Sequence, residues 1–240
     1  MSTRGRKMSF VEEFKKTKGV GVYVLLAVLL LLPICSQGVL GLGQVVTDYK
    51  YYVTTFGLFC RLFLSVAIGL LISLSFYIEY RRKGYLNVIL NGHSFSNLLT
   101  NKLLFFHSFM LIYLLIALLI SIGFQLFDGS NINLYYKELL ISFTLLLVTC
   151  ILLVNIHMFL CMIFNNQPMI SLIVSVLCSF INVFIVPTSF WIVFPWAYPT
   201  RILYFTSLDI LDFVTILLIT ICSSWLIIYY NSKYKKKQFI

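Results

Sequence analysis

Acidic side chains are scarce. The 240 residues include eight Asp and Glu against eighteen Lys and Arg, and charge of either sign makes up only 11% of the chain. A soluble domain carries about 25% charged residues, so water is not the principal solvent here. No polar stretch is long enough to bury a core of its own, which excludes a separate soluble domain. Ion-coupled carriers keep a carboxylate or His chain at membrane depth and break helices at matched positions in both halves. Neither pattern is present, and Glu79 and Glu138 stand at the ends of apolar segments rather than within them. No G-x-x-x-x-G-K-[ST] occurs, so this chain holds no phosphate cradle for ATP and no nucleotide cofactor is expected in it. No H-E-x-x-H occurs, which removes the zinc-protease reading. The six cysteines have no C-x-x-C spacing and fall in or beside apolar stretches, as small buried hydrophobes do.

What is abundant is apolar length, at 60% hydrophobic residues. Six segments stand out: 20–40, 55–78, 103–124, 139–164, 169–186 and 213–230. Each approaches the ~20 residues that cross a hydrocarbon core as a helix. Only helices or closed barrels satisfy their backbone there. The expected fold is all-α: a polytopic protein of six transmembrane helices in one membrane domain spanning 1–240. The first segment is long, lacks a small-residue cleavage site and precedes five more, so it is expected to be retained rather than removed as a signal.

Basic residues set the orientation. Arg4, Arg6, Lys7, Lys15, Lys16 and Lys18 precede the first segment, Arg81, Arg82, Lys83 and Lys102 lie in the connector 79–102, and Lys233, Lys235, Lys236 and Lys237 lie in the tail. Lys50, Lys137 and Arg201 fall on the other side, and Arg61 lies within a span. Both termini and the connector are therefore expected in the cytoplasm. Attraction to anionic lipid accounts for the +10 net charge without any nucleic acid. Ser9 and Glu12 form a capping box in front of Phe10, Val11 and Phe14, which predicts an amphipathic helix on the cytoplasmic interface within 1–19.

The connector, EYRRKGYLNVILNGHSFSNLLTNK, is the longest polar run between apolar segments. Glu79 closes the second segment, Gly84 permits a turn, YLNVIL offers an apolar helical face, and Asn91-Gly92-His93 breaks it. Lys102 marks return to the membrane. A short exposed helix with an apolar face is a docking surface for a partner. Of the polar residues at depth, Arg61 is expected to snorkel or to line a path. Each of the three histidines, His157 near Asn155 among them, is expected to bond to a neighbouring helix.

The segment 187–212, PTSFWIVFPWAYPTRILYFTSLDILD, is apolar and aromatic although it lies between spans. Pro187, Pro195 and Pro199 prevent one continuous helix, so it is expected to lie in the interface or to dip in and return. Trp191, Trp196 and Tyr198 are expected to form an outward-facing surface that meets an amphiphile.

These motifs carry a resemblance. EEFKKTKG before the first span looks like the lead-in helix of ABC type-2 permeases, and EYRRKGYLNVIL…SFSNLLTNKLL is similar to their segment between spans two and three, with Glu79, Gly84, Leu90, Ser94 and Lys102 matching. The family's usual Pro is replaced by Asn91-Gly92-His93. The resemblance implies a permease subunit of an ATP-driven exporter with no ATPase activity of its own. ATP and Mg would be held by a separate ATPase dimer, and a second permease, identical or paralogous, would complete the pore. The connector would be the coupling helix, with Glu79, Arg81, Arg82, Gly84, Tyr85, Leu86, Leu90, Asn91 and Lys102 meeting the ATPase. FPWAYPTR is further similar to an element of permeases in lantibiotic self-protection exporters of Gram-positive producers. That implies a cell-membrane protein that expels an amphiphilic antimicrobial peptide. Arg61, Asn155, Trp191, Pro195, Trp196, Tyr198, Pro199 and Arg201 would be its substrate contacts. Export of another antibiotic or amphiphile, and a non-transporting membrane anchor or assembly role, remain open alternatives.

Overall fold

The computed structural model describes residues 21–41, 53, 56–81, 95–127, 136–164, 167–204 and 210–237, and every regular element among them is helical. Gly21, at φ 67°, makes the left-handed turn that starts α1, Val22–Gly41. Pro33 lies inside α1 and has no N–H to return to the preceding turn. A π-helical turn, Phe59–Phe63, runs directly into α2, Leu64–Arg81, and the Leu64 N–H bonds back five residues to the Phe59 carbonyl. Helix α3 spans Phe95–Phe127, α4 Tyr136–Ile163 and α5 Met169–Ile185. Two 3-10 turns, Ser189–Val193 and Pro195–Ala197, precede the short α6, Tyr198–Tyr204, and α7, Ile210–Lys237, follows.

Three of the described helices are long and apolar enough to cross a membrane: Phe56–Tyr80, Leu98–Phe124 and Tyr136–Ile163. Three shorter apolar helices, Tyr23–Gln37, Met169–Ile185 and Val214–Ile227, coincide with the other predicted segments. The third helix starts at Phe95, well ahead of the predicted 103. Thr100, Asn101 and Lys102 do not interrupt it, because the Lys102 charge is met within the fold. The predicted interfacial helix within 1–19 and the connector interior 82–94 lie outside the described residues.

Helices α2 and α4 form the centre. Helix α2 packs on α1, α4 and α5, while α4 packs on α2, α3, α5, α6 and α7. The closest approach is between α2 and α5. A Cβ at Gly69 would stand 2.2 Å from Ser175 Oγ and 2.5 Å from Ser175 Cβ, so only glycine allows the two backbones this distance.

Helix α5 shows which solvent the fold is built for. Ser171, Ser175, Ser179 and Asn182 recur every three or four residues and are all buried, whereas Ile173, Leu177, Phe180, Ile181 and Phe184 are exposed. Polar inside and apolar outside inverts the rule for a helix facing water. Two of the serine hydroxyls bond to their own helix, Ser175 to the Leu172 carbonyl at 2.8 Å and Ser179 to the Ser175 carbonyl at 2.8 Å. They therefore act as small, satisfied packing surfaces that let neighbouring helices approach.

Candidate functional site

The two ends of the connector meet. Lys102 Nζ on α3 lies 3.3 Å from Glu79 Oε1 on α2 and donates to Ser75 Oγ at 2.8 Å. The ammonium also sits 5.2 Å from the Phe76 ring centre and 5.8 Å from that of Phe106. Lys102 is fully buried. Both Glu79 and Lys102 face inward and clamp the base of the connector, and Lys102 stands near the start of the apolar span Leu98–Phe124. Desolvating both charges is tolerable only because they satisfy each other and the hydroxyl. Arg81 is the last residue of α2. Arg82, Gly84, Tyr85, Leu86, Leu90 and Asn91 lie outside the described residues.

At the far end of α2, the π turn presents Arg61 to the C-terminal end of α5. Arg61 Nη2 reaches the Val183 carbonyl at 3.5 Å, and Asn182 Nδ2 donates to the Arg61 carbonyl at 3.0 Å. The side chain thus folds onto α5 rather than simply extending along its own helix to the headgroups. Asn182 Nδ2 also donates to Thr200 Oγ1 at 3.0 Å, which ties α6 to the same point.

In the aromatic segment two of the three rings named above are turned into the protein. Trp191 and Tyr198 are buried, at 5% and 0% exposure, and contact each other edge to face at 6.0 Å. Tyr198 donates its hydroxyl proton to the Ile192 carbonyl, and the Arg201 guanidinium sits 5.0 Å from the Trp191 ring centre. Trp196 donates from Nε1 to His157 Nε2 at 3.3 Å. The expected outward-facing surface is therefore corrected for Trp191 and Tyr198, while Trp196 is half-buried. The polar edges of Trp196 and Tyr198 find partners within the protein, which a ring anchored only in lipid would lack. Among the described residues of this segment the most exposed large apolar side chains are Phe190 and Val193, at 70% and 75% exposure. Pro195 opens the second 3-10 turn, and Pro199 is buried in the first turn of α6, where its missing N–H costs nothing.

The partners of His157 fix its tautomer. The indole N–H can only donate, so Nε2 accepts and the ring proton resides on Nδ1. Nδ1 lies 2.9 Å from Ser171 Oγ, and that hydroxyl donates in turn to the His157 carbonyl at 3.3 Å. A neutral imidazole thus joins α4, α5 and the aromatic segment. Sequence reasoning left Ser171 and Asn182 unremarked; their spacing with Ser175 and Ser179 was the available signal. Asn155 lies elsewhere, donating to Ser224 Oγ at 2.8 Å and Ser223 Oγ at 3.3 Å across the α4–α7 contact. It is not brought together with Arg61 or the tryptophans by any of these bonds. Among the described residues no cluster of His, Cys, Asp and Glu is arranged to hold a metal.

Neither a curated protein nor a solved structure matches the chain. One family model does, that of the ABC-2 family transporter proteins, over residues 10–182. The match takes in the connector, both members of its clamp and α5 as far as Asn182, and stops short of the aromatic segment. It covers well over half of the sequence, and the chain belongs to the ABC-2 transporter family.

Proposed function

We propose that this chain is the membrane-spanning permease subunit of an ATP-driven exporter, with six membrane helices and both termini in the cytoplasm. Membership of the ABC-2 family carries this reading. Three supporting features accompany it: apolar helices at all six predicted positions, the inverted polarity of α5, and the bias of basic residues toward the termini and connector. A 17-residue helix such as α5 rises ~26 Å, the short end of what a bilayer accepts. The connector 79–102 docks on an ATPase dimer that binds ATP and Mg, and a second permease, identical or paralogous, completes the transporter.

The substrate class we propose is an amphiphilic antimicrobial peptide of the lantibiotic type, expelled from the membrane of a Gram-positive producer. The likeness of FPWAYPTR to that group supports it, as do the exposed Phe190 and Val193 on a segment held firmly from beneath. The other residues first considered as contacts, Arg61, Asn155, Trp191, Pro195, Trp196, Tyr198, Pro199 and Arg201, then serve mainly to position that segment and the helices under it.

Affinity purification of the full chain from its own cells tests the core of the proposal. An ATP-binding cassette protein is expected to co-purify, and to be lost on Leu86→Asp or on charge reversal at Arg81 and Arg82 while membrane insertion persists. Peptide tolerance is expected to survive collapse of the proton gradient when ATP is maintained. Retention of the ATPase by all these variants, or tolerance that tracks the proton gradient, would overturn the reading.

A further inference from the structure

Three buried polar atoms along one seam have no hydrogen-bond partner: Arg61 Nε, Ser65 Oγ and Asn182 Oδ1. Ser65 is 4% exposed and Asn182 1%. Ser65 follows Arg61 by four residues, and Asn182 Nδ2 bonds to the Arg61 carbonyl at 3.0 Å, so all three belong to the Arg61 end of the α2–α5 contact. Unsatisfied buried polar groups are rare and call for an explanation each time. Three together describe a site awaiting a ligand with both acceptors and a donor.

The charge narrows the ligand. A guanidinium remains protonated in proteins and offers five N–H donors in a planar fork. Here one donor reaches a carbonyl at 3.5 Å, and among the described residues no carboxylate bonds to Arg61. A full charge at membrane depth without a counter-ion is costly. Arg61 is five residues into the apolar helix Phe56–Tyr80, ~7.5 Å along its axis, and is partly buried. That depth puts the guanidinium within a side chain's reach of the headgroup layer. Phosphate oxygens match the fork with two parallel bonds. A headgroup hydroxyl would supply the donor that Asn182 Oδ1 lacks, and Ser65 can serve either partner.

We propose that this end of the α2–α5 seam is a binding site for a phosphodiester headgroup carrying a free hydroxyl, as in a phosphatidylglycerol-type lipid. Arg61 holds the phosphate, and Asn182 and Ser65 hold the hydroxyl. The site is independent of the molecule that is transported.

Native mass spectrometry of the full chain, delipidated in detergent and then offered single lipids, tests this. Dioleoyl phosphatidylglycerol is expected to bind and dioleoylglycerol, which has the chains without the phosphate, is not. Arg61→Gln is expected to lower phosphatidylglycerol affinity by about tenfold or more, the loss of charge-assisted bonds. Arg61→Lys keeps the charge without the fork and is expected to fall between. Ser65→Ala removes one hydroxyl from a packed helix and keeps the test alive if Arg61→Gln does not fold; it is expected to lower affinity several-fold. Inorganic phosphate is the second arm: Arg61-dependent binding of the free ion, with no gain from the lipid, would uphold the phosphate chemistry and overturn the lipid as its source. Equal binding of phosphatidylglycerol to wild type, Arg61→Lys and Ser65→Ala, or equal binding of dioleoylglycerol, would overturn the proposal.

Discussion

Lys102 and Glu79 are 23 positions apart in sequence, yet their charged atoms lie 3.3 Å apart inside the protein, with Ser75 as a third partner. The residues between them form the connector that we propose docks on the ATPase. The ion pair closes that loop at its base. Breaking a buried pair from one side leaves an uncompensated charge, typically 3–5 kcal/mol, whereas replacing both charges is often neutral. Lys102→Met is therefore expected to lower the unfolding temperature in detergent sharply. Glu79→Gln in the same chain should restore much of it. A double variant no more stable than Lys102→Met would show that the pair carries no coupling energy.

Gly69 and Ser175 give a size test. Gly69→Ala adds a methyl that overlaps the Ser175 side chain, an overpacking cost of about 1–3 kcal/mol. Ser175→Gly in that background removes both overlapping atoms. Thermal unfolding is expected to show a loss for Gly69→Ala that Ser175→Gly largely reverses, and Ser175→Gly alone should cost less than Gly69→Ala alone.

Trp196→Phe keeps most of the ring but leaves His157 Nε2 without its donor. The stability cost is expected to be about 1–3 kcal/mol, that of an unsatisfied buried acceptor. His157→Ala and the double variant complete a cycle. Additive losses would mean that the indole and imidazole act separately; a shortfall of about 1 kcal/mol in the double variant is expected.

Phe190 and Val193 are predicted to matter for substrate rather than for stability. Phe190→Ser with Val193→Ser removes exposed apolar surface only, and surface substitutions of this kind usually shift stability by under about 0.5 kcal/mol. Tolerance of intact cells to the exported peptide is expected to fall several-fold at unchanged protein level. Tolerance that falls only in step with abundance would move the substrate surface elsewhere.

The sequence displayed the apolar elements well, because hydropathy is a local property. The fifth predicted segment, 169–186, and α5, Met169–Ile185, differ by one residue. The break at Pro195 and Pro199 was equally legible, since proline acts through its own ring. What could not be read was direction. An indole facing lipid and an indole facing His157 have the same hydropathy, and the histidine that decides between them lies 39 residues away. Lys102 shows the same limit: nothing local in the sequence places the Glu79 carboxylate beside it. The Ser171, Ser175, Ser179 and Asn182 spacing was visible all along, yet its meaning depends on Gly69 across the seam.

The missing side chain at Gly69 also has a mechanical consequence. Helices α2 and α5 interlock there too closely to slide or roll past each other. The antiparallel pair behaves as one strut, with the connector leaving from the Arg81 end of α2 and the aromatic segment leaving from the Ile185 end of α5. A push delivered at the connector needs no hinge within this pair to arrive beneath the aromatic segment. Whatever bending the molecule undergoes is left to the contacts that α1, α3 and α7 make around it.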